Sequence, residues 1–91
     1  MIINAEVKQL NELHELFKKS FNENTPREFT CKIGLKRAIN SKQVLVDIYH
    51  DKIIAALRMY KRKKDNVVSI YQTYGDIKSI TALFDKFELI G

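Results

Sequence analysis

The 91-residue sequence predicts a single α+β domain of three-layer type, in which an antiparallel meander of three to four strands is packed with three helices. Three observations lead there. Apolar residues recur at spacings of three and four from Val7 to Phe21, the period switches to two between Gln43 and Thr73, and helical spacing returns after Gly75-Asp76. A 45% hydrophobic content over this length suits one core and leaves no room for a second domain. A core of this size supplies a net stability of roughly 3–5 kcal/mol unless a cross-link, a metal or oligomerisation adds to it.

The elements follow in order. Met1-Ile2-Ile3 is a short apolar start, and Asn4 can cap a helix. Val7, Leu10, Leu13, Phe17 and Phe21 then form the apolar stripe of an amphipathic helix ending near Asn22, with charged residues on its other faces. Thr25-Pro26-Arg27-Glu28 opens a second helix: threonine at the cap, proline in the first turn and glutamate three residues on to complete a capping box. Phe29, Ile33 and the run Leu35 to Ile39 give this helix its apolar side, Gly34 weakens it by about 1 kcal/mol relative to alanine, and Asn40-Ser41 ends it.

Strands are predicted over Gln43–Tyr49, Ile53–Lys61 and Asn66–Thr73, where β-branched and aromatic residues concentrate. The links are short, so the strands form an antiparallel meander: His50-Asp51-Lys52 makes the first turn and Lys63-Lys64-Asp65-Asn66 the second. Val44, Val46 and Ile48 share one face of the first strand, with Leu45 and Tyr49 on the other. Both faces are therefore apolar, and helices cover at least one. Ile77, Ile80, Leu83, Phe84 and Phe87 mark a third helix that ends near Leu89-Ile90-Gly91. The predicted order is strand, helix, helix, strand, strand, strand, helix.

Composition narrows the function classes. Cys31 is the only cysteine, so no internal disulfide forms, and Cys31, His14 and His50 are too few for a tetrahedral metal site. Oligomerisation is the one staple left. Met1 to Asn11 carries charges and no long apolar run, so no signal peptide or membrane span is expected and a cytoplasmic location follows. The abundance of Ile, Lys and Asn is typical of AT-rich genomes and points toward a bacterium or its mobile elements. The net charge of +5 is mostly scattered, except where Lys61, Arg62, Lys63 and Lys64 run together with Arg58 and Lys52 close by.

The element order, together with the segment from Val44 to Tyr60, resembles the first half of the GCN5-related N-acetyltransferase fold. In that hairpin a strand ends in an acidic turn and the next begins with a small-residue apolar run. The resemblance covers roughly residues 1–75 and implies that the segment after the last strand, Gln72-Thr73-Tyr74-Gly75-Asp76-Ile77, stands where the family holds the pyrophosphate of coenzyme A on backbone amides and a helix N-terminus. Gln72 and Gly75 match the family's pattern and are the expected contacts if acetyl-CoA binds. Ile77 replaces a small residue and its branched side chain would crowd a close approach to the backbone, and a carboxylate at Asp76 repels pyrophosphate. The family's later strands have no counterpart. The expectation is a reduced, non-catalytic scaffold without a cofactor, with a minimal acetyl-CoA-dependent N-acetyltransferase as one alternative and a structural subunit of a larger assembly as another.

The remaining candidates are weighed by chemistry. His14, between apolar positions, is a packing or surface histidine, and His50-Asp51 a turn. Cys31 is a small core or boundary residue whose pKa the neighbouring Lys32 could lower. No catalytic residue and no metal ligand is expected. The strongest functional feature is the basic hairpin, where Arg58, Tyr60, Lys61, Arg62, Lys63 and Lys64 are expected to engage nucleic acid or a nucleic-acid-handling protein, cations on phosphate and tyrosines, Tyr71 among them, as flanking aromatic surface. Lys32, Lys36 and Arg37 can extend that patch. Such a protein suits a phage or mobile element acting on host machinery. The last strand has neither charge nor proline from Val67 to Tyr74, so it is expected to form an unguarded sheet edge through which the chain dimerises or takes a protein partner. Val68, Ile70, Gln72, Leu89 and Ile90 are the expected contacts.

Overall fold

Strands Ile2–Asn4 (β1), Val44–Tyr49 (β2), Lys52–Lys61 (β3) and Val68–Tyr74 (β4) form one antiparallel sheet in the order β1-β2-β3-β4. The structure, a computed structural model, describes residues 1–62, 64 and 67–90, without the side chains of residues 28, 61 and 88–90. Helices Leu10–Lys18 (α1), Arg27–Thr30 (α2) and Lys32–Asn40 (α3) precede the meander, and Ile77–Ile90 (α4) follows it. This is the predicted α+β order, with the second helix divided in two.

Alternation along the strands sorts the core into two layers. On one face Val44, Val46, Ile53 and Ala56 pack against Leu13 and Phe17 of α1 and Leu35, Ala38 and Ile39 of α3. On the other, Leu45, Ala55, Leu57 and Met59 lie beneath Leu83 of α4, with Ile80, Phe84 and Phe87 packed around them. Helices thus cover both faces of the sheet, as the apolar alternation of β2 requires.

Several local details depart from expectation. Asn4 caps no helix, because it pairs with Leu45 as the last residue of β1. The helical start is closed instead by the Glu6 N–H, which donates to Gln9 Oε1 at 2.8 Å. α1 stops at Lys18, before Asn22, and Ser20 Oγ donates back to the Phe17 carbonyl at 2.8 Å. Thr25 does not cap the second helix either: its Oγ1 accepts the Asn22 N–H at 2.9 Å, which closes a turn before the helix. The chain then leaves the helical region at Cys31 (φ −92, ψ 130) and re-enters it as α3.

The first hairpin turns on His50 and Asp51, with φ of 51° and 62°. Two successive left-handed residues give a turn whose twist matches the flanking strands, and Lys52 belongs to β3, paired with Tyr49. β3 then outruns β2. Val44 pairs with Arg58 and the Met59 N–H donates to the Gln43 carbonyl at 2.8 Å, but Tyr60 and Lys61 pair only with Ser69 and Val68 of β4. The Arg62 N–H continues the ladder to the Val67 carbonyl at 2.9 Å. The β3–β4 hairpin therefore projects as a two-stranded ribbon.

β4 is the sheet edge among the described strands, and it carries a bulge. Arg58 pairs with Gln72 and Met59 with Ile70, which leaves Tyr71 as the extra residue. After β4 the chain crosses to the other face at Gly75, whose φ is +113°. A Cβ there would stand 2.9 Å from both the Ala55 Cβ and the Ile54 carbonyl oxygen, so the crossing admits only glycine without strain.

Candidate nucleic-acid interface

Arg58 does not belong to the exposed basic patch. It is only 7% exposed, on the α1–α3 face of β3. Its Nη1 donates to Gln72 Oε1 at 3.0 Å and its Nη2 to the Gly34 carbonyl at 3.4 Å. The guanidinium lies 5.1 Å from the Phe29 ring centroid and 6.0 Å from that of Tyr71. Gln72 Nε2 in turn donates to the Phe29 carbonyl at 3.0 Å. A buried cation needs partners for its charge, and here Gln72 of β4 and the Gly34 carbonyl of α3 accept from the two Nη groups while Phe29 of α2 and Tyr71 supply aromatic faces. The bulge at Tyr71 is what brings Gln72 opposite Arg58.

This network also accounts for the break at Cys31. A continuous helix would bond its carbonyls internally, whereas the carbonyls of Phe29 and Thr30 serve Gln72 and His14. His14 Nε2 lies 2.9 Å from the Thr30 carbonyl oxygen, and since a carbonyl only accepts, the proton sits on Nε2. The ring meets the edge of Phe21 at 6.0 Å, so His14 is a half-buried packing residue that ties α1 to α2.

The exposed cations of the ribbon are Arg62 and Lys64; Lys63 and the Lys61 side chain lie outside the described residues. Tyr60 is exposed and alternates onto the same face as Arg58. Lys32, Lys36 and Arg37 are exposed on α3, and Arg27 on α2.

Next to the ribbon, on the same face, a cleft of about 400 Å³ opens between β4 and the segment joining α1 to α2. Phe21, Phe29 and Tyr71 give it aromatic surface, and Asn22, Asn24 and Gln72 give it amides. Among the described residues no charged side chain lines it. Phe29 and Tyr71 pack on one another at 5.1 Å between centroids, with Arg58 beside both. Sequence reasoning missed the cleft, which depends on the α1–α2 segment meeting β4.

The segment set against a coenzyme A loop does other work. The Gln72 amide faces Arg58 and Phe29, and Gly75 serves the crossing. Asp76 Oδ1 accepts the Ser79 N–H at 2.7 Å, and this bond holds its carboxyl below the usual range. A carboxylate thus occupies the N-terminus of α4. Ile77 is 83% exposed, so its side chain stands in solvent at the start of α4.

Among the expected interface residues, Ile70 is 54% exposed, while Val68 packs against the α4 layer and Gln72 is buried in the network, away from the edge. The side chains of Leu89 and Ile90 lie outside the described residues. Cys31 sits at the start of α3, not within a helix, and its thiol is held below its ordinary pKa by the backbone N–H groups of Gly34 and Ile33. Arg27 and Arg37 add to this effect; Lys32 is not the cause. His50 meets Tyr49 edge to face at 4.2 Å in the turn. Among the described residues no group of three or more His, Cys, Asp and Glu could hold a metal ion, and no helix is long and apolar enough to cross a membrane. Comparison with protein-family models, with curated proteins and with solved structures finds no match.

Proposed function

We propose that this chain is a non-catalytic binding protein that engages nucleic acid through the basic β3–β4 ribbon. The observation that carries this reading is the register: β3 outruns β2 after Arg58 and Met59, so the segment bearing Tyr60, Lys61 and Arg62 projects from the sheet with only β4 beside it. A two-stranded ribbon is narrow enough to enter a groove, and cations at its tip reach phosphates. Arg62 and Lys64 are exposed there. Arg58 is no part of this contact and acts only to hold β3, β4 and α2 together. An acetyl-CoA-binding role is less well supported, because the Asp76 carboxylate already takes the helix N-terminus that a pyrophosphate needs.

The test is a salt series of binding to a fluorescein-labelled 20-base-pair duplex. Replacing Lys61, Arg62, Lys63 and Lys64 by alanine should weaken binding and lower the salt slope by roughly 3–4 if all four meet phosphates. Unchanged affinity and slope would remove the ribbon from the interface. Calorimetric titration with acetyl-CoA should show nothing tighter than about 1 mM, and a micromolar dissociation constant would overturn the non-enzymatic reading.

A further inference from the structure

The ribbon and the cleft share one face of the sheet, and their chemistry differs in a way that selects the kind of nucleic acid. Arg62 and Lys64 are exposed at the tip. Tyr60 follows on the α1–α3 face, then Tyr71, pushed out of register by the bulge and lying against Phe29, and then the cleft. Exposed Arg27 follows the lining residue Pro26 in the chain, and exposed Lys19, 5.9 Å from the Tyr74 ring, precedes the lining residue Ser20. Among the described residues the exposed anions in this region are Glu23, between two lining residues, and Asp76, engaged at α4.

Cations next to the lining segments of a cleft with aromatic walls and no charged side chain among its described residues match a ligand whose charge and whose flat, polar-edged groups alternate. A phosphate backbone with unstacked bases has that composition, whereas a duplex hides its bases from such a cleft. Gln72 adds a specific feature. Arg58 and the Phe29 carbonyl fix its amide orientation, since Oε1 accepts from one and Nε2 donates to the other. One N–H and one lone pair remain, the donor–acceptor pair that reads a base edge. The bulge displaces Tyr71 beside this amide, as bulges do near binding sites.

On this basis, and resting on the nucleic-acid reading of the ribbon, we infer that the chain binds single-stranded nucleic acid, with phosphates on the ribbon and one base seated in the cleft against Tyr71. The experiment compares three fluorescein-labelled probes by anisotropy: a 12-nucleotide oligothymidylate, the same strand with central abasic tetrahydrofuran residues, and a 12-base-pair duplex. The abasic probe keeps every phosphate and removes the bases. Oligothymidylate should bind about tenfold tighter than the abasic strand. Tyr71→Ala should abolish that preference while leaving abasic binding in place. Asn24→Asp, which puts a carboxylate on an exposed loop residue of the lining, should weaken oligothymidylate binding and guards against a Tyr71 variant that fails to fold. Equal affinity for the normal and abasic strands, or tighter binding of the duplex, overturns the cleft while sparing the ribbon. Binding of none of the three probes overturns both.

Discussion

The two faces of the sheet are built from the same strands, yet they solve burial differently. On the α4 face every buried contributor among the described residues is apolar, from Leu45 and Leu57 to Leu83. One helix closes it. The opposite face takes three helical segments and admits a guanidinium and an amide, Arg58 and Gln72, which must find partners across residues far apart in sequence. Apolar burial needs only shape and area, whereas polar burial needs geometry, and geometry constrains the backbone around it. The bent second helix and the bulge in β4 are both found on that side. So is the cleft.

Breaking the apolar face should have the largest effect. Leu83 is 0% exposed, so Leu83→Ala should lower the unfolding free energy by about 3 kcal/mol, measured by urea denaturation. A loss below about 1 kcal/mol would show that α4 does not close this layer. On the polar face Arg58→Ala should cost about 2 kcal/mol, because it leaves Gln72 without its donor partner and the Phe29–Tyr71 pair without its cation. The paired change Arg58→Leu with Gln72→Leu should recover most of that, since an apolar pair needs no partners. If the double variant is worse than Arg58→Ala, the network is not the isolated unit that its bonding suggests. Gly75→Ala probes the passage from one face to the other, and its strained φ together with its 2.9 Å contacts should cost at least about 1–2 kcal/mol.

The smallest effect sharpens the contrast chemically. The Cys31 thiol is favoured as thiolate by the start of α3, so its pKa lies below the ordinary value. A lowered acid pKa means more thiolate at a given pH below that value. Iodoacetamide should therefore modify the folded protein faster at pH 7 than the urea-unfolded chain, after correction for denaturant. Equal rates would indicate that the backbone N–H groups of Gly34 and Ile33 do not reach the sulfur.

Elements whose period matches their burial were legible in the sequence. The stripe from Leu10 to Phe17 and the alternation from Val44 to Ile48 depend on local geometry alone, and they predicted both the elements and the layers. Thr25-Pro26-Arg27-Glu28 misled because capping chemistry describes an isolated helix, whereas here two tertiary demands, from Gln72 and His14, draw the carbonyls of Phe29 and Thr30 away. Arg58 misled for a related reason. A cation near a basic run reads as surface, and only the pairing register with Gln72 shows it turned inward. The hint was available in its setting, a strand flanked by Ala55, Ala56, Leu57 and Met59 and covered on both faces. The cleft left no local signal, since its walls come from segments roughly fifty residues apart.

The bulge at Tyr71 also bears on how the protein behaves at high concentration. Read as a string, Val67 to Tyr74 is uncharged, free of proline and rich in β-formers, the composition of a segment that stacks into cross-β fibres. Such stacking needs about six or seven residues in unbroken register. The kink divides β4 into Val68-Ser69-Ile70 and Gln72-Thr73-Tyr74, three residues on either side. A strand that docks on this edge can follow one half or the other, not both in a single ladder. In the folded state the displaced residue that shapes the cleft thus acts as an interruption against fibre growth, and a deletion that restored regular pairing there would be expected to produce a protein that precipitates.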